Sequence, residues 1–414
     1  MNTGKHVIFL GAGASKGSGY PLANKLRLLI SSRKNWEEAL RDYAKQHNRM
    51  PETFVDMGLP FWDKHAQALT LFRNGGFATL DEFSLLAGQQ FQNEINGLRS
   101  LVRAALGLFN PEDHFEDSEY YAFIQALFKE DLISLREDIS VLTYNYDPYL
   151  EFLLHRALVH RTQIRGTGQP AYLIEKEDYA HKENYSKALG AVTSGFDASN
   201  DRRWLEEDKI QPRFCLLKLH GSICREVDTV AGYKTLFEDD PLKRAQSLFG
   251  RLACSDTPLV LFPWEMMTKQ GFVGKGRDST LFQFFGGSVY ELFRGIWERA
   301  KREVESAHKI SFVGLSMHQF LSDGLGYLFE GKKDKVEVCL VNPENAPFDR
   351  IRSETHWNNL PNSPAKKLSQ ILGIVAPGMR WSGYGVPRKR EDGEITLVKD
   401  FEAFIKTQMN TSEV

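Results

Sequence analysis

Short, nearly unbroken apolar runs punctuate this chain at His6–Leu10, Ile139–Thr143, Phe214–Leu219, Leu259–Phe262, Lys309–Val313 and Val336–Val341. Strands of a parallel sheet covered on both faces lose the in–out alternation of a half-exposed strand and read this way. Between the runs the spacing turns helical. Leu22, Leu26, Leu29 and Ile30 open a helix after the first run, and Val289, Leu292, Phe293, Ile296, Trp297 and Ala300 make one apolar stripe over 288–306. Residues 31–135 carry many aromatic side chains at helical spacing, such as Phe123, Ile124, Leu127 and Phe128, and predict a helical insertion that supplies core. An aromatic wall or lid over a ligand site is the other reading of the same residues. Residues 159–210 are polar and rich in turn signals, which predicts an inserted loop region, and a short helix is expected near 399–407. The order predicts an α/β fold with a Rossmann-like parallel sheet built from 1–30 and 136–345, a helical insertion at 31–135 and a C-terminal extension at 346–414.

Composition narrows the classes of function. The 414 residues are 42% hydrophobic and 26% charged, ordinary for a globular protein, and 52 basic against 54 acidic residues leave a formal charge of −2. No global field would recruit nucleic acid or an anionic membrane. The patch Arg388, Lys389 and Arg390 reads as a solvated face. No apolar run approaches the length of a membrane span, and the five-residue run after Met1–Lys5 is too short for a signal peptide, so a cytoplasmic location is expected. Cys215, Cys224, Cys254 and Cys339 are scattered without a CxxC pair, which argues against a disulfide framework and a zinc ribbon. Cys215 and Cys339 lie inside apolar runs and are expected to be small core residues.

The ends of the runs carry the chemistry. Five of them finish on a small or polar group: Gly11, Asn145, His220, Gly314 and Asn342. In a doubly wound sheet the carboxyl ends of the strands line one crevice, where ligands bind. Gly11-Ala12-Gly13-Ala14-Ser15 follows the first strand and precedes a helix, an arrangement that can offer backbone N–H groups to a pyrophosphate. A tight turn alone would use the same residues, because the full GxGxxG spacing is absent. Asn145-Tyr146-Asp147 can cap the next helix or orient a ligand. A neutral imidazole at His220 can accept a proton near pH 7. A dinucleotide in the crevice would place its pyrophosphate on Gly11 to Ser15, the adenosine ribose or a phosphate at Gly314 and Ser316, and a ribose hydroxyl at Asn342. Nicotinamide on a ribose is already a cationic leaving group. Its cleavage needs a positioned nucleophile and removal of its proton. Asn145 would position the nucleophile, and His220 would act as base or hold the ribose hydroxyls, a histidine merely satisfied at a strand end being the other reading of His220. Hydride transfer fits less well, since no acidic residue ends a second strand about twenty positions after the glycine turn.

In the order Gly11-Ala12-Gly13-Ala14-Ser15 with Gly19-Tyr20-Pro21, Thr143-Tyr144-Asn145-Tyr146-Asp147, His220-Gly221, Gly314-Leu315-Ser316 and Val341-Asn342, the chain resembles the sirtuin fold. Its departures are informative. Leu22, Ala23 and Asn24 stand where sirtuin deacetylases carry Asp-Phe-Arg, Tyr144 replaces the Gln before the catalytic Asn, and only Cys224 and Cys254 lie between His220 and Gly314, so no zinc ribbon is expected. These features point away from peptide deacetylation and resemble the sirtuin-like NAD-hydrolysing branch of bacterial anti-phage defence systems. Pro263 with Lys269, and Gly314-Leu315-Ser316-Met317 with Asp323, match that branch as well.

The resemblance implies an NAD+ glycohydrolase with Asn145 and His220 as catalytic residues and no metal. Gly11, Ala12, Gly13, Ser15, Asp147, Gly314, Ser316 and Asn342 would line the site for NAD, the substrate. It also implies NAD depletion by abortive infection, switched on in a homo-oligomer or by an operon-encoded partner: an ATPase, an Argonaute or a nucleotide-sensing subunit. No membrane and no sequence-specific nucleic acid are expected as partners. The helical insertion and the tail beyond 345 are the expected docking surface. Two other functions stay open at this point: a non-catalytic module that binds NAD or an NAD-derived signal, and a protein deacylase or ADP-ribosyl transferase.

Overall fold

The computed structural model describes residues 4–16, 19–74, 92–109, 119–129, 135–150, 153–154, 192–193, 214–226, 241–249, 258–268, 271–273, 279–315, 319–330, 332, 336–341, 395–398 and 401–409. The elements run β1 (Lys5–Leu10), α1 (Ala23–Ser31), α2 (Arg33–Gln46), α3 (Pro51–Asn74), α4 (Gln92–Gly107), α5 (Glu119–Ala126), β2 (Ile139–Thr143), β3 (Val192–Thr193), β4 (Phe214–Lys218) and β5 (Gly221–Glu226). They continue with α6 (Pro241–Phe249), β6 (Pro258–Val260), a 3₁₀ turn at Pro263–Met266, β7 (Met267–Thr268), β8 (Gly271–Phe272), α7 (Thr280–Phe285), α8 (Gly287–Ser306), β9 (Ala307–Val313), α9 (Gln319–Phe329), β10 (Glu337–Val341), β11 (Ile395–Val398), α10 (Phe401–Phe404) and a π-helical turn at Ile405–Met409.

Seven strands form one parallel sheet in the order β11-β10-β9-β1-β2-β4-β3. The chain therefore starts at the centre, builds outward through β2 and β4, then crosses back to β9 on the other side of β1. That reversal between β1 and β9 is the topological switch point, where an open α/β sheet leaves a crevice at its carboxyl edge. The architecture is α/β and compatible with a Rossmann-like fold.

The strand sequences explain the layers. Alternate side chains of each strand face opposite sides, and here both sides are buried. Ile8, Leu10, Val141, Leu216, Val313 and Val341 face one core, and Val7, Phe9, Leu142, Leu217, Phe312 and Leu340 face the other. The helices at 31–135 cover the first face through Trp36, Leu40, Tyr43, Phe54, Phe61, Trp62 and Leu101. Trp36, Tyr43, Phe54, Phe61, Trp62, Tyr120, Phe123 and Phe128 supply core, and α5 also reaches the strand ends, as described below. The C-terminal Phe404, Ile405 and Met409 join the same core, and β11 from the tail extends the sheet beside β10.

Helix α8 covers the other face, and its stripe is as the spacing predicts: Val289, Leu292, Phe293, Ile296, Trp297 and Ala300 are all buried. Each of the five larger side chains contributes about 2 kcal/mol on burial. The exposed Arg294–Glu298 pair (2.7 Å) on the opposite side is worth only about 0.3 kcal/mol, so the apolar stripe decides where α8 docks.

One expected strand is placed differently. The run Leu259–Phe262 contributes only its start to a strand, β6, which pairs antiparallel with β5 (Gly221 with Val260, Glu226 with Pro258) outside the main sheet. A short apolar run meets its burial requirement equally well in either sheet, so the pattern alone could not choose. The two short edge strands β3 and β11 carry too few residues for any periodicity to show.

Candidate functional site

At the switch point two glycine turns lie against each other. Gly11 N–H donates to the Val313 carbonyl, Gly13 N–H to the Gly314 carbonyl and Gly314 N–H to the Val341 carbonyl, each at 2.9 Å. The approach leaves no room for side chains. A Cβ on Gly11 would lie 2.6 Å from the Gly314 oxygen, one on Gly13 2.7 Å from the Gly314 Cα, and one on Gly314 2.2 Å from the Ala14 nitrogen. Gly314 also has φ +61°, the left-handed region that glycine adopts without strain. What glycine permits here is the contact of one turn with the other. The turn after β1 also uses its own donors, with Ala14 N–H bonding Gly11 O, Ser15 N–H bonding Ala12 O and Lys16 N–H bonding Gly13 O. Among the described residues the first α-helix begins at Ala23, so the glycine turn does not run straight into its N-terminus. Ala12 stays exposed at the tip.

Asn145 stands beside this pair of turns, just past the end of β2. Its backbone N–H donates to Thr143 Oγ1 (3.1 Å), and its Nδ2 donates to the Gly11 carbonyl (3.1 Å) and to Ser15 Oγ (3.0 Å). A carbonyl can only accept, so the Gly11 contact fixes which side of the amide is nitrogen. Both N–H groups are then committed, and among the described residues the amide oxygen receives no hydrogen bond. Ser15 Oγ in turn donates to Asp147 Oδ2 (3.1 Å) and lies 3.2 Å from the Tyr120 hydroxyl. Asp147 Oδ1 accepts the Tyr149 N–H (3.1 Å), which is the capping role open to it from sequence. Ser15, Asn145, Asp147 and Tyr120 are all buried, so this is an interior polar network tying β1, β2 and α5 together.

His220 lies past the end of β4 in a different setting. Its ring packs edge-on to Tyr144 (centroids 4.8 Å, 74°) and tilted against Tyr146 (6.1 Å) and Trp297 (6.4 Å). Leu261 N–H donates to the His220 carbonyl (2.8 Å), and the Tyr146 hydroxyl donates to the Leu261 carbonyl (3.0 Å). Tyr144 and Tyr146 thus turn toward His220, while Asn145 between them turns toward Ser15. The Tyr144 hydroxyl is buried and has no hydrogen-bond partner among the described residues, and burial pushes its phenol far above the usual tyrosine range.

Of the residues predicted to form the site, Gly11, Gly13, Ser15, Asn145, Asp147 and Gly314 come together around the switch point. Ser316, Asn342 and Lys269 lie outside the described residues, as does the side chain of Asp323. Three contributors were not singled out from sequence. Tyr120 reaches Ser15 from the helical layer. Lys218 is buried at the end of β4 and donates to the Asp147 carbonyl (2.5 Å). Arg99 from α4 donates to the Val260 carbonyl (2.9 Å) and pairs with Glu265, whose other oxygen accepts the Phe262 N–H (2.7 Å). Burial raises the Glu265 carboxyl, and Arg99 opposes that shift. The pair clamps the segment that carries Leu261 against His220. A lone buried tyrosine, lysine or arginine in a sequence gives no signal of such a partner.

Cys215 and Cys339 are buried core thiols, as expected, and desolvation pushes both up to about 12. No helix among the described residues is long and apolar enough to cross a membrane. No protein-family model matches the chain, and no curated protein is similar enough to count as a relative.

Chemically, the carboxyl edge of the sheet offers an amide oxygen that accepts no hydrogen bond among the described residues, a buried hydroxyl–carboxylate network behind it, and an imidazole held among three aromatic rings.

Proposed function

We propose that this protein hydrolyses NAD+ to nicotinamide and ADP-ribose. The observation that carries this is Asn145, whose two amide hydrogens are held by Gly11 and Ser15 beside the switch point, leaving only an acceptor oxygen. A water donating one hydrogen to that oxygen keeps a lone pair for attack on ribose C1′. The C1′–N bond breaks with its electron pair going to the nicotinamide ring, which leaves neutral. The new C1′–O bond forms, and His220 takes the proton that water loses. The ring charge of NAD+ makes the leaving group good without an acid, so the protein's task is orientation and proton removal. The order of strand-end motifs, which resembles that of the sirtuin-like NAD hydrolases, and the carboxyl edge of an α/β sheet, where ligands bind, support the same assignment. With it go the family's roles: NAD depletion in anti-phage defence, a cytoplasmic setting, and activation through a homo-oligomer or a partner subunit.

A second reading has one observation of its own. The Asn145 amide bonds Gly11 and Ser15 as a structural strut would, and a module that binds NAD or ADP-ribose without cleaving it would keep that strut. Separating the products of NAD+ incubated with the purified chain, alone and with its operon neighbour, tests the two. Nicotinamide plus ADP-ribose, lost in folded Asn145→Ala and in folded His220→Ala, is the expected result. Calorimetric binding of ADP-ribose with no turnover in any condition would replace the hydrolase by the binding module. Turnover retained in either variant would remove that residue from the mechanism.

A further inference from the structure

The hydroxyl at Ser15 has a complete set of partners, and counting them assigns a role to a residue in the helical layer. A serine hydroxyl has one hydrogen to donate and two lone pairs to accept with. Its hydrogen goes to Asp147 Oδ2 at 3.1 Å, because a carboxylate can only accept. One lone pair takes the Asn145 Nδ2 hydrogen at 3.0 Å. The contact of 3.2 Å to the Tyr120 hydroxyl must then be a bond donated by Tyr120 into the second lone pair.

Tyr120 is held to that task. It is 1% exposed, its ring meets Tyr149 edge-on (5.6 Å, 86°), and Tyr149 is the residue whose N–H occupies the other oxygen of Asp147. Tyr149 packs in turn on Tyr20, which follows the glycine turn, and Tyr20 on Phe109 from the end of α4 (both 5.6 Å). The helical layer therefore grips the glycine turn and the end of β2 at one point. Without the bond from Tyr120, the Ser15 hydroxyl can rotate among its neighbours, and the Asn145 amide keeps the Gly11 carbonyl but loses a fixed second partner.

We propose that Tyr120 is a positioning residue for NAD hydrolysis, acting through Ser15 to hold the Asn145 amide oxygen in the orientation that aims the attacking water. The proposal rests on the hydrolase reading above. It makes α5 the element through which the helical layer bears on the reaction, without touching substrate.

The test is a kinetic double-mutant cycle with Tyr120→Phe, Ser15→Ala and the double variant, read as kcat and KM for NAD+ in the full chain. Far-ultraviolet circular dichroism and calorimetric binding of ADP-ribose establish that each variant is folded. Tyr120→Phe keeps the ring and its packing, so KM should stay within about twofold while kcat falls about tenfold, the scale of a small misplacement of the reacting water. In the Ser15→Ala background the same change should have no further effect, because the route from Tyr120 to Asn145 is already cut. Equal losses from Tyr120→Phe in both backgrounds would overturn the proposal, as would a Tyr120→Phe enzyme with unchanged kcat. A wild-type chain that binds ADP-ribose but cleaves no NAD+ would overturn the hydrolase reading and this role with it. An active wild type with an additive cycle would overturn the role of Tyr120 alone.

Discussion

Two tyrosines that flank Asn145 offer a test in which the same chemical change should have opposite signs. Tyr144 and Tyr146 both pack on His220, but their hydroxyls differ. That of Tyr146 donates to the Leu261 carbonyl at 3.0 Å, whereas that of Tyr144 is buried with no partner among the described residues. An unpaired buried hydroxyl costs about 1–3 kcal/mol, while a made hydrogen bond contributes about 1 kcal/mol net. Tyr144→Phe keeps the ring on Phe9 (6.3 Å, 18°) and on His220, removing one oxygen from a packed site. It should stabilise the protein by about 1 kcal/mol after a small cavity term is set against the gain. Tyr146→Phe should destabilise it by about 1 kcal/mol, since the Leu261 carbonyl loses its donor. Urea unfolding monitored by tryptophan fluorescence reads both as shifts of midpoint at constant slope. The reasoning is refuted if Tyr144→Phe loses stability comparably to Tyr146→Phe, because the Tyr144 hydroxyl would then be bonded in the folded protein.

Three further outcomes follow from the same geometry. Gly314→Ala should cost about 1–3 kcal/mol from the left-handed backbone alone and more from overlap with the Ala14 nitrogen, whereas Gly326→Ala, helical and with open space around its Cβ, should gain about 1 kcal/mol; thermal melts of the two variants read the contrast. Arg99→Met leaves Glu265 buried without its partner and should cost about 3–5 kcal/mol, while Arg99→Met with Glu265→Met should recover most of that in the same denaturant titration. His6 is held well below 6.5 by burial and by Lys309, His308 and Arg136, and His65 is lowered to about 4 by burial and Lys64, so the unfolded chain takes up protons that the folded one refuses. Stability should therefore be full above pH 6.5 and fall as pH drops below it, by about 1.4 kcal/mol per unit for buried His6 and by less for the partly exposed, solvent-screened His65, and urea midpoints between pH 7.5 and 5 should show a shallower slope in His65→Gln.

The strands legible from sequence were those whose surroundings are uniform. Ile139–Thr143 is a strand over the range its apolar run marks, and all five of its residues are buried, because a central parallel strand meets apolar helices on both faces along its whole length. The stripe on α8 was legible for the same reason, since the sheet and the two helices beside it bury it along its length. Legibility fails where the deciding neighbour is remote in sequence. Nothing local tells Leu259 to Phe262 that β5 will take its start into a separate ladder. Likewise nothing near Tyr120 announces Ser15, 105 positions away, or near Arg99 announces Glu265, 166 positions away.

The glycines are the instructive case. Their spacing was legible, but what they approach was not, and the answer redistributes the functional weight of the motif. Gly11, Gly13 and Gly314 are accounted for by the contact of two turns at the switch point, which any protein of this topology with the same turns would need, with or without a ligand. The buried polar network is only partly accounted for in structural terms, by the Asp147 cap on Tyr149 and the Asn145 bond to Gly11. Of its members, the Ser15 and Tyr120 hydroxyls bond other side chains, whereas Asn145 also holds the Gly11 carbonyl and Asp147 the Tyr149 N–H, backbone groups that an apolar replacement would leave buried without that partner. Turn packing does not require an amide with both hydrogens held and its oxygen left open. An oxygen left open in this way is what the proposed hydrolysis would use, so under that proposal the polar residues between the glycines, rather than the glycines themselves, carry the case for function.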